Sequence, residues 1–274
     1  MATVNKLSVS DVLGESFRFF FGHIRLFFHL VTIPWLMSLA IRVIAASLGG
    51  DDDDGAVLSL VEKMLDVVPT VMFLVAWTRV VLLGPHSPGM LPGLGWSRRE
   101  TTFLIHLIQI AGVAYLLVAA FTLAIGQLDP MTFAAASSDP EVVQRQALAA
   151  PLGLGFIVSA MLALRVCYGL AASAVDVPFS PRLSWIYGKG NGWTILGTVF
   201  LIFFINAIVT TLAVVLTAAI LRGLLGGGLG VTVVVWTVAL LVSYAGSALV
   251  ATTQAIIFRR LLQWREGAAL PPPP

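Results

Sequence analysis

Two histidines are the groups within the apolar part of this chain with the most obvious chemistry. His29 and His106 each lie near the start of a long apolar stretch, at similar depth. Two facing imidazoles could ligate a haem iron or contact a quinone. The simpler interpretation is a hydrogen bond from each ring to backbone, water or a neighbouring hydroxyl. We predict no cofactor. The alternative is a haem, for which His29 and His106 are the candidate ligands.

Arg165 is the charged residue that lies deepest within an apolar stretch. An arginine there costs about 2.5–3.5 kcal/mol on membrane-insertion scales unless its side chain reaches the interface or a partner. The structural interpretation is snorkelling with hydrogen bonds to carbonyls. The functional one is contact with an anionic lipid headgroup or substrate. Arg79 has a similar place nearer the end of an earlier stretch, so both are candidate contacts for lipid or a partner.

Patterns typical of enzymes and metal sites are absent from the sequence. The single cysteine, Cys167, excludes an internal disulfide and any multi-cysteine metal site. There is no nucleophile elbow, phosphate loop or His-Glu-x-x-His motif. The acidic run 51–54 lacks the spaced ligands of a calcium loop, so a solvated loop is preferred and a cation site is the alternative. We predict no enzymatic activity, no metal and no nucleic-acid partner.

The composition explains why so few polar groups are candidates. Of 274 residues, 58% are hydrophobic and 11% are charged, and the mean hydropathy is +0.94. Soluble proteins carry far more charge, and a helix crosses a membrane with about 20 apolar residues. The predicted fold is therefore all-α, a polytopic transmembrane helical bundle in one domain, 1–262. Its six spans are predicted at about 24–48, 67–83, 101–125, 151–174, 193–221 and 231–258.

The basic residues predict the orientation of these spans. Most of the 16 lysines and arginines fall on the side of both termini, and such residues are retained on the cytoplasmic side. We therefore expect cytoplasmic termini, including a proline-rich tail at 263–274. The run 51–54 then lies in an external loop. Short amphipathic helices are expected on the outside at 57–66 and at about 139–150.

Similar helix starts recur along the chain at intervals of 80 to 90 residues. Ser8 opens a capping-box pattern before the amphipathic stretch 8–22, which predicts an interfacial helix on the cytoplasmic leaflet. Ser97 and Ser180 have similar positions before the third and fifth spans. The spacing predicts three parallel repeats, each a lead-in followed by a transmembrane hairpin.

Small residues recur every four positions in two spans. The rows are Gly155, Ser159, Ala163, Cys167 and Ala171 in the fourth span and Ala239, Ser243, Ser247 and Ala251 in the sixth. Such rows let helix backbones approach closely in lipid. Ser243 and Ser247 are therefore candidate contacts, inside the bundle or with a partner. The alternative is composition, since alanine and glycine are frequent in the chain.

Two stretches carry sequence motifs in addition to hydropathy. Residues 165–196 read RVCYGLAASAVDVPFSPRLSWIYGKGNGWTIL, and residues 9–34 read VSDVLGESFRFFFGHIRLFFHLVTIP. They resemble polytopic proteins related to the glycerophosphoryl diester phosphodiesterase membrane domain, and the six-span layout is similar over the whole chain. The resemblance implies a multi-pass protein of the bacterial inner membrane. Hydrolase activity is not implied, because we find no catalytic barrel. The motif residues that become candidate contacts for lipid or a partner are Ser184, Trp185, Asn191 and Trp193.

Three classes of function fit these features. A non-catalytic membrane scaffold or accessory subunit of a larger complex is preferred, because packing faces are abundant and reactive groups are scarce. A transporter that handles lipid or a small molecule is the alternative, based on Arg165 and the repeat. An enzyme or cofactor-binding protein comes last. The predicted partners are membrane lipids and either another membrane protein or further copies of the chain.

Overall fold

The computed structural model describes residues 6–48, 55–85, 96–126, 157–178, 180–226 and 228–263. These residues are largely helical, and none of them forms a strand. Six helices within them are long and apolar enough to cross a membrane. The chain is therefore an all-α, multi-pass membrane protein, which confirms the predicted fold class.

The helices of the described residues follow the predicted spans closely. They are α1 (Val9–Gly22), α2 (Ile24–Leu48), α3 (Gly55–Leu83), α4 (Arg98–Gly126), α5 (Ile157–Ala174), α6 (Pro181–Tyr187), α7 (Gly192–Leu225) and α8 (Leu229–Leu262). One 3-10 turn, Cys167–Gly169, lies within α5. The acidic run 51–54, the predicted helix at 139–150, the start of the fourth span at 151–156 and the tail 264–274 lie outside the described residues.

The predicted separation between an outer helix at 57–66 and the second span is wrong. The stretch 57–66 is not a separate turn on the membrane surface, because α3 runs continuously through it and through Pro69. Proline is tolerated in membrane helices, where neighbouring groups satisfy the freed carbonyl. The apolar side chains of this stretch are exposed along the helix, as lipid-facing residues are, and Glu62 lies 3.8 Å from Arg42 of α2. The stretch therefore continues the helix that forms the second span.

The second helix of each hairpin lies at the centre of the bundle. Helices α3, α5 and α8 pack on one another. Around them, α2 packs against α3 and α8, α4 packs against α5 and α3, and α7 packs against α8. The hairpins α2–α3, α4–α5 and α7–α8 thus use their helices in the same way, as three parallel repeats should. Lead-in helices α1 and α6 precede the first and third hairpins, and residues 86–95 before the second lie outside the described ranges.

The polar lead-in signals are partly confirmed. Ser97 and Glu100 form the reciprocal capping bonds at the start of α4, with the Ser97 amide 2.8 Å from the carboxylate. Ser180 accepts a bond from the Leu183 amide at 3.3 Å and caps α6. The capping box at Ser8 is wrong, because its hydroxyl makes no capping bond to α1.

Tryptophan 77 joins three of the surrounding helices to α3. Its side chain is fully buried, and its indole Nε1 donates to the Ala248 carbonyl at 3.0 Å and to the Thr252 hydroxyl at 2.9 Å. Aromatic rings from α1, α2 and α3 surround it, namely Phe19, Phe20, Phe27 and Phe73. One side chain thus fixes the spacing of α1, α2, α3 and α8.

Helix α1 lies at one end of the bundle, where hydrogen bonds join it to α8. Ser16 is fully buried and accepts a hydrogen bond from the Thr253 hydroxyl at 2.9 Å. Glu15 accepts hydrogen bonds from both Arg259 and Arg260 at the end of α8. The predicted polar face of α1 is therefore partly a contact face.

Candidate functional site

Arg165 lies in a cleft between α5 and α7 at the end of the bundle that carries α1 and α6. The cleft has a volume of about 350 Å³. Gly190, at its rim, has a φ of 84°, a conformation that favours glycine. The cleft is lined by Met161, Leu162, Arg165, Gly190, Gly192, Trp193 and Leu196.

The Arg165 guanidinium stacks on an aromatic ring of the next lead-in helix. Its Cζ lies 3.7 Å from the centroid of Trp185 in α6, a cation–π contact. The predicted hydrogen bonds to carbonyls are wrong, because no residue within the described ranges accepts a hydrogen bond from Arg165. Its Nε is buried without a partner. The stack holds the charge in place and leaves its donors unused.

Helix α7 begins directly beside this guanidinium. A Cβ at Gly192 would lie 3.1 Å from both Cζ and Nε of Arg165, so the arginine packs on bare backbone. The first bond of the helix runs from the Ile195 amide to the Asn191 carbonyl at 2.9 Å. The amides between them have no acceptor one turn back and carry the partial positive charge of the helix start. Two positive groups therefore meet in the cleft.

The other motif residues have different roles in this region. Ser184 is buried, and its carbonyl accepts a hydrogen bond from Tyr168 at 2.5 Å. Asn191 is buried, and its Oδ1 accepts the amide of Leu7 at 2.9 Å. The Ser184 carbonyl and the Asn191 side chain hold the α6–α7 connection against α5 and the start of the chain. Trp185 and Trp193 are the exposed members, with 41% and 78% of their surface accessible.

The arginines of the three hairpins each contact another repeat. Arg79 of α3 donates from Nη1 to the Ala174 carbonyl at 3.0 Å and so caps the end of α5. Arg165 of α5 stacks on α6, and Arg259 of α8 bonds Glu15 of α1. Arg165 differs from the other two, because its contact partner offers no hydrogen-bond acceptor.

The two histidines have different surroundings. His106 Nδ1 and the Ser173 hydroxyl of α5 form a hydrogen bond of 2.6 Å, which confirms the simpler interpretation for this residue. His29 is exposed on α2. Within the described residues, no group of three or more His, Cys, Asp and Glu side chains could hold a metal ion.

The small-residue row of the fourth span packs inward, whereas in the sixth span Ala251 is the member of the row that is buried. Ser159, Cys167 and Ala171 are buried, and Gly155 lies outside the described residues. Ser243 is exposed and Ser247 half-buried, so of the two alternatives for Ser243, a contact inside the bundle and a contact with a partner, the second is the one that fits.

The part of the sixth span near Ser243 packs inward through two neighbouring residues, Tyr244 and Gly246. Tyr244 is buried and shares a 2.8 Å hydrogen bond with Ser38 of α2. Gly246 faces α7, where a Cβ would lie 1.9 Å from Oδ1 of Asn206. The Tyr244 side chain and the bare backbone at Gly246 set how this part of α8 packs.

A second cavity of about 250 Å³ lies between α4 and α5 and is also lined by Trp185. Its walls are mainly apolar, with the amide of Gln109 and the hydroxyl of Ser159 as the polar exceptions. The Ser159 hydroxyl is buried without a partner.

Comparison with known proteins adds nothing to this description, since no family model, curated protein or solved structure matches the chain. The function is therefore argued from the contacts and charges described above.

Proposed function

We propose that the protein is a non-catalytic membrane scaffold that serves as an accessory subunit of a larger membrane complex. The observation that carries the proposal is the use of the polar groups within the spans. Four pairs of them form hydrogen bonds that tie one helix to another. Groups held in such bonds add to the packing of one helix on another. The pairs are Ser38 with Tyr244, Trp77 with Thr252, His106 with Ser173 and Cys167 with Gln254.

The face of α8 at Ser243 is the surface that we assign to the partner. Ser243 is an exposed hydroxyl in an apolar span, and Ala239 and Ser247 lie one turn on either side of it. Small residues allow a second helix to approach closely, and a hydroxyl can bond across the contact. A second integral membrane protein is the occupant that this surface fits.

A substitution at Ser243 tests this assignment. Leucine there overpacks a helix contact, which costs about 1–3 kcal/mol, so we expect the co-purified partner to fall by about tenfold from native membranes. Val234→Leu is the matched control, because it is exposed on α8 about half a turn away in angle. Equal retention of the partner by both variants would contradict the assignment. If an untagged copy of the chain co-purified with a tagged copy, the partner on this surface would be a second copy of the chain.

We further propose that the end bearing α1 and α6 faces the cytoplasm of a bacterial inner membrane, with both termini on that side. The resemblance to the phosphodiesterase membrane domain family supports the membrane, and the basic residues support the orientation. Cys167 is buried, so a new cysteine can be labelled selectively. A membrane-impermeant maleimide should label Lys63→Cys in spheroplasts, and Lys189→Cys only after lysis. Labelling in the opposite order would refute the orientation.

Handling of a lipid or small molecule is the second candidate, and the Arg165 cleft is the observation that favours it. The two cavities of about 350 and 250 Å³ lie at or below the lower end of the usual range for ligand pockets, about 300–1,000 Å³. This size suits a headgroup better than a whole phospholipid. We therefore rank translocation of a lipid below the scaffold role.

A further inference from the structure

We infer that the Arg165 cleft binds a phosphate group, and that the usual source of this group is the headgroup of an anionic phospholipid. The inference goes beyond the scaffold role and holds with or without a protein partner. It rests on the charge of the cleft, on the donors left open in it and on the nature of its walls.

The charge of the cleft is unbalanced. The guanidinium of Arg165 lies against the first residue of α7, where the helix start carries partial positive charge. The segment 177–191 contains no acidic residue. The nearest acid in the sequence, Asp176, is bonded to Arg99 at 2.5 Å. Because no carboxylate of the described residues pairs with Arg165, an anion from outside is the group that would balance this site.

The donors of the cleft suit a tetrahedral anion. One face of the guanidinium is covered by Trp185 and its Nε faces Gly192, while only Nε is both buried and unpartnered. Arg165 lines the cleft, and its terminal nitrogens, which are not among the buried unpartnered atoms, are the donors that we assign to a ligand. Arginine binds phosphate oxygens in pairs. Gly190 and Gly192 have no side chains to block the backbone amides, as at other phosphate sites on helix starts.

The walls of the cleft favour a lipid over a free ion. Met161, Leu162 and Leu196 are apolar, and acyl chains would lie against such surfaces. Trp193 is 78% exposed at the same level, and tryptophan is enriched where headgroups meet hydrocarbon. A headgroup phosphate would thus reach Arg165 while its chains stayed in the bilayer.

Lipid binding to the full-length protein in neutral detergent tests the inference. Native mass spectrometry would count bound dioleoyl-phosphatidylglycerol, dioleoylglycerol and inorganic phosphate. We expect stoichiometric retention of the phospholipid and little retention of the diacylglycerol, which lacks phosphate. Arg165→Gln should lower the apparent affinity for phosphatidylglycerol by about tenfold or more, as loss of a charged hydrogen-bond partner does. Arg182→Gln, an exposed charge on α6, is the control and should bind as the wild type does.

A second variant keeps the charge and changes only the geometry. In Gly192→Ala the new Cβ would lie 3.1 Å from the guanidinium and push it from the backbone, so phospholipid affinity should fall. Gly197→Ala, on the same helix with no atom within 4 Å of the new Cβ, should leave affinity unchanged. Thermal unfolding of each variant would show that the protein remains folded.

Each outcome decides the question. Equal binding of phospholipid and diacylglycerol, or equal losses in Arg165→Gln and Arg182→Gln, would overturn the inference. Inorganic phosphate that binds through Arg165 without any preference for the lipid would support a phosphate site with a soluble ligand. Loss of the protein partner is a separate measurement, so failure of the scaffold proposal and failure of this site can be told apart.

Discussion

Alanine in place of Trp77 is expected to destabilise the protein by about 3–5 kcal/mol, the usual cost of removing a large buried aromatic side chain. The residue is fully buried among rings from three helices, and its indole donates to Ala248 and Thr252. Its loss would leave a cavity where α1, α2, α3 and α8 meet. Thermal and denaturant unfolding in detergent, followed by circular dichroism, would measure the change.

Two further variants separate packing from hydrogen bonding at this place. Trp77→Phe keeps most of the ring and loses the indole donor, so a loss of about 1 kcal/mol is expected. Trp193→Ala removes a side chain that is 78% exposed and should cost far less than Trp77→Ala. Similar losses for Trp77→Ala and Trp193→Ala would show that Trp77 is not the centre of the packing.

Gly246→Ala is expected to have the next largest effect, a destabilisation of about 1–3 kcal/mol from overpacking. The new Cβ would lie 1.9 to 2.3 Å from the three amide atoms of Asn206, so this side chain has to leave its place between α7 and α8. Asn206→Ala in the same chain should recover most of the loss, and a double-mutant cycle would measure the coupling.

A helical glycine with free space around it provides the control for this experiment. Gly223 lies on α7 with no atom within 4 Å of a new Cβ. Alanine there should be neutral, or stabilise by up to about 1 kcal/mol because it restricts the unfolded chain. If Gly246→Ala behaved like Gly223→Ala, the close approach of the two helices would be contradicted.

The number and position of the spans could be predicted from the sequence, because the thickness of the hydrocarbon sets a minimum length for each apolar stretch. Which face of a span points inward could not be predicted in α8. This helix is apolar nearly all round, so the row at Ser243 and the face at Gly246 look equally suitable. The choice depends on Asn206 and Tyr244, whose partners are far away in sequence.

Arg165 could be found from the sequence, because a charge within a span is rare and costly. Its contact with Trp185 could not, since it depends on how α6 folds back on α5. Ser184 and Asn191 were selected as motif residues, but they are buried in the α6–α7 connection. The repeat contained a useful signal, because Arg165 and Arg259 both contact a lead-in helix. Arg165 contacts α6 through Trp185, and Arg259 contacts α1 through Glu15.

The mass of the intact assembly, released from native membranes in mild detergent, tests the central proposal most directly. The scaffold role predicts a stoichiometric complex of this chain with a different integral membrane protein, together with bound phospholipid. Detection of the chain alone, or only with further copies of itself, would contradict the role of an accessory subunit.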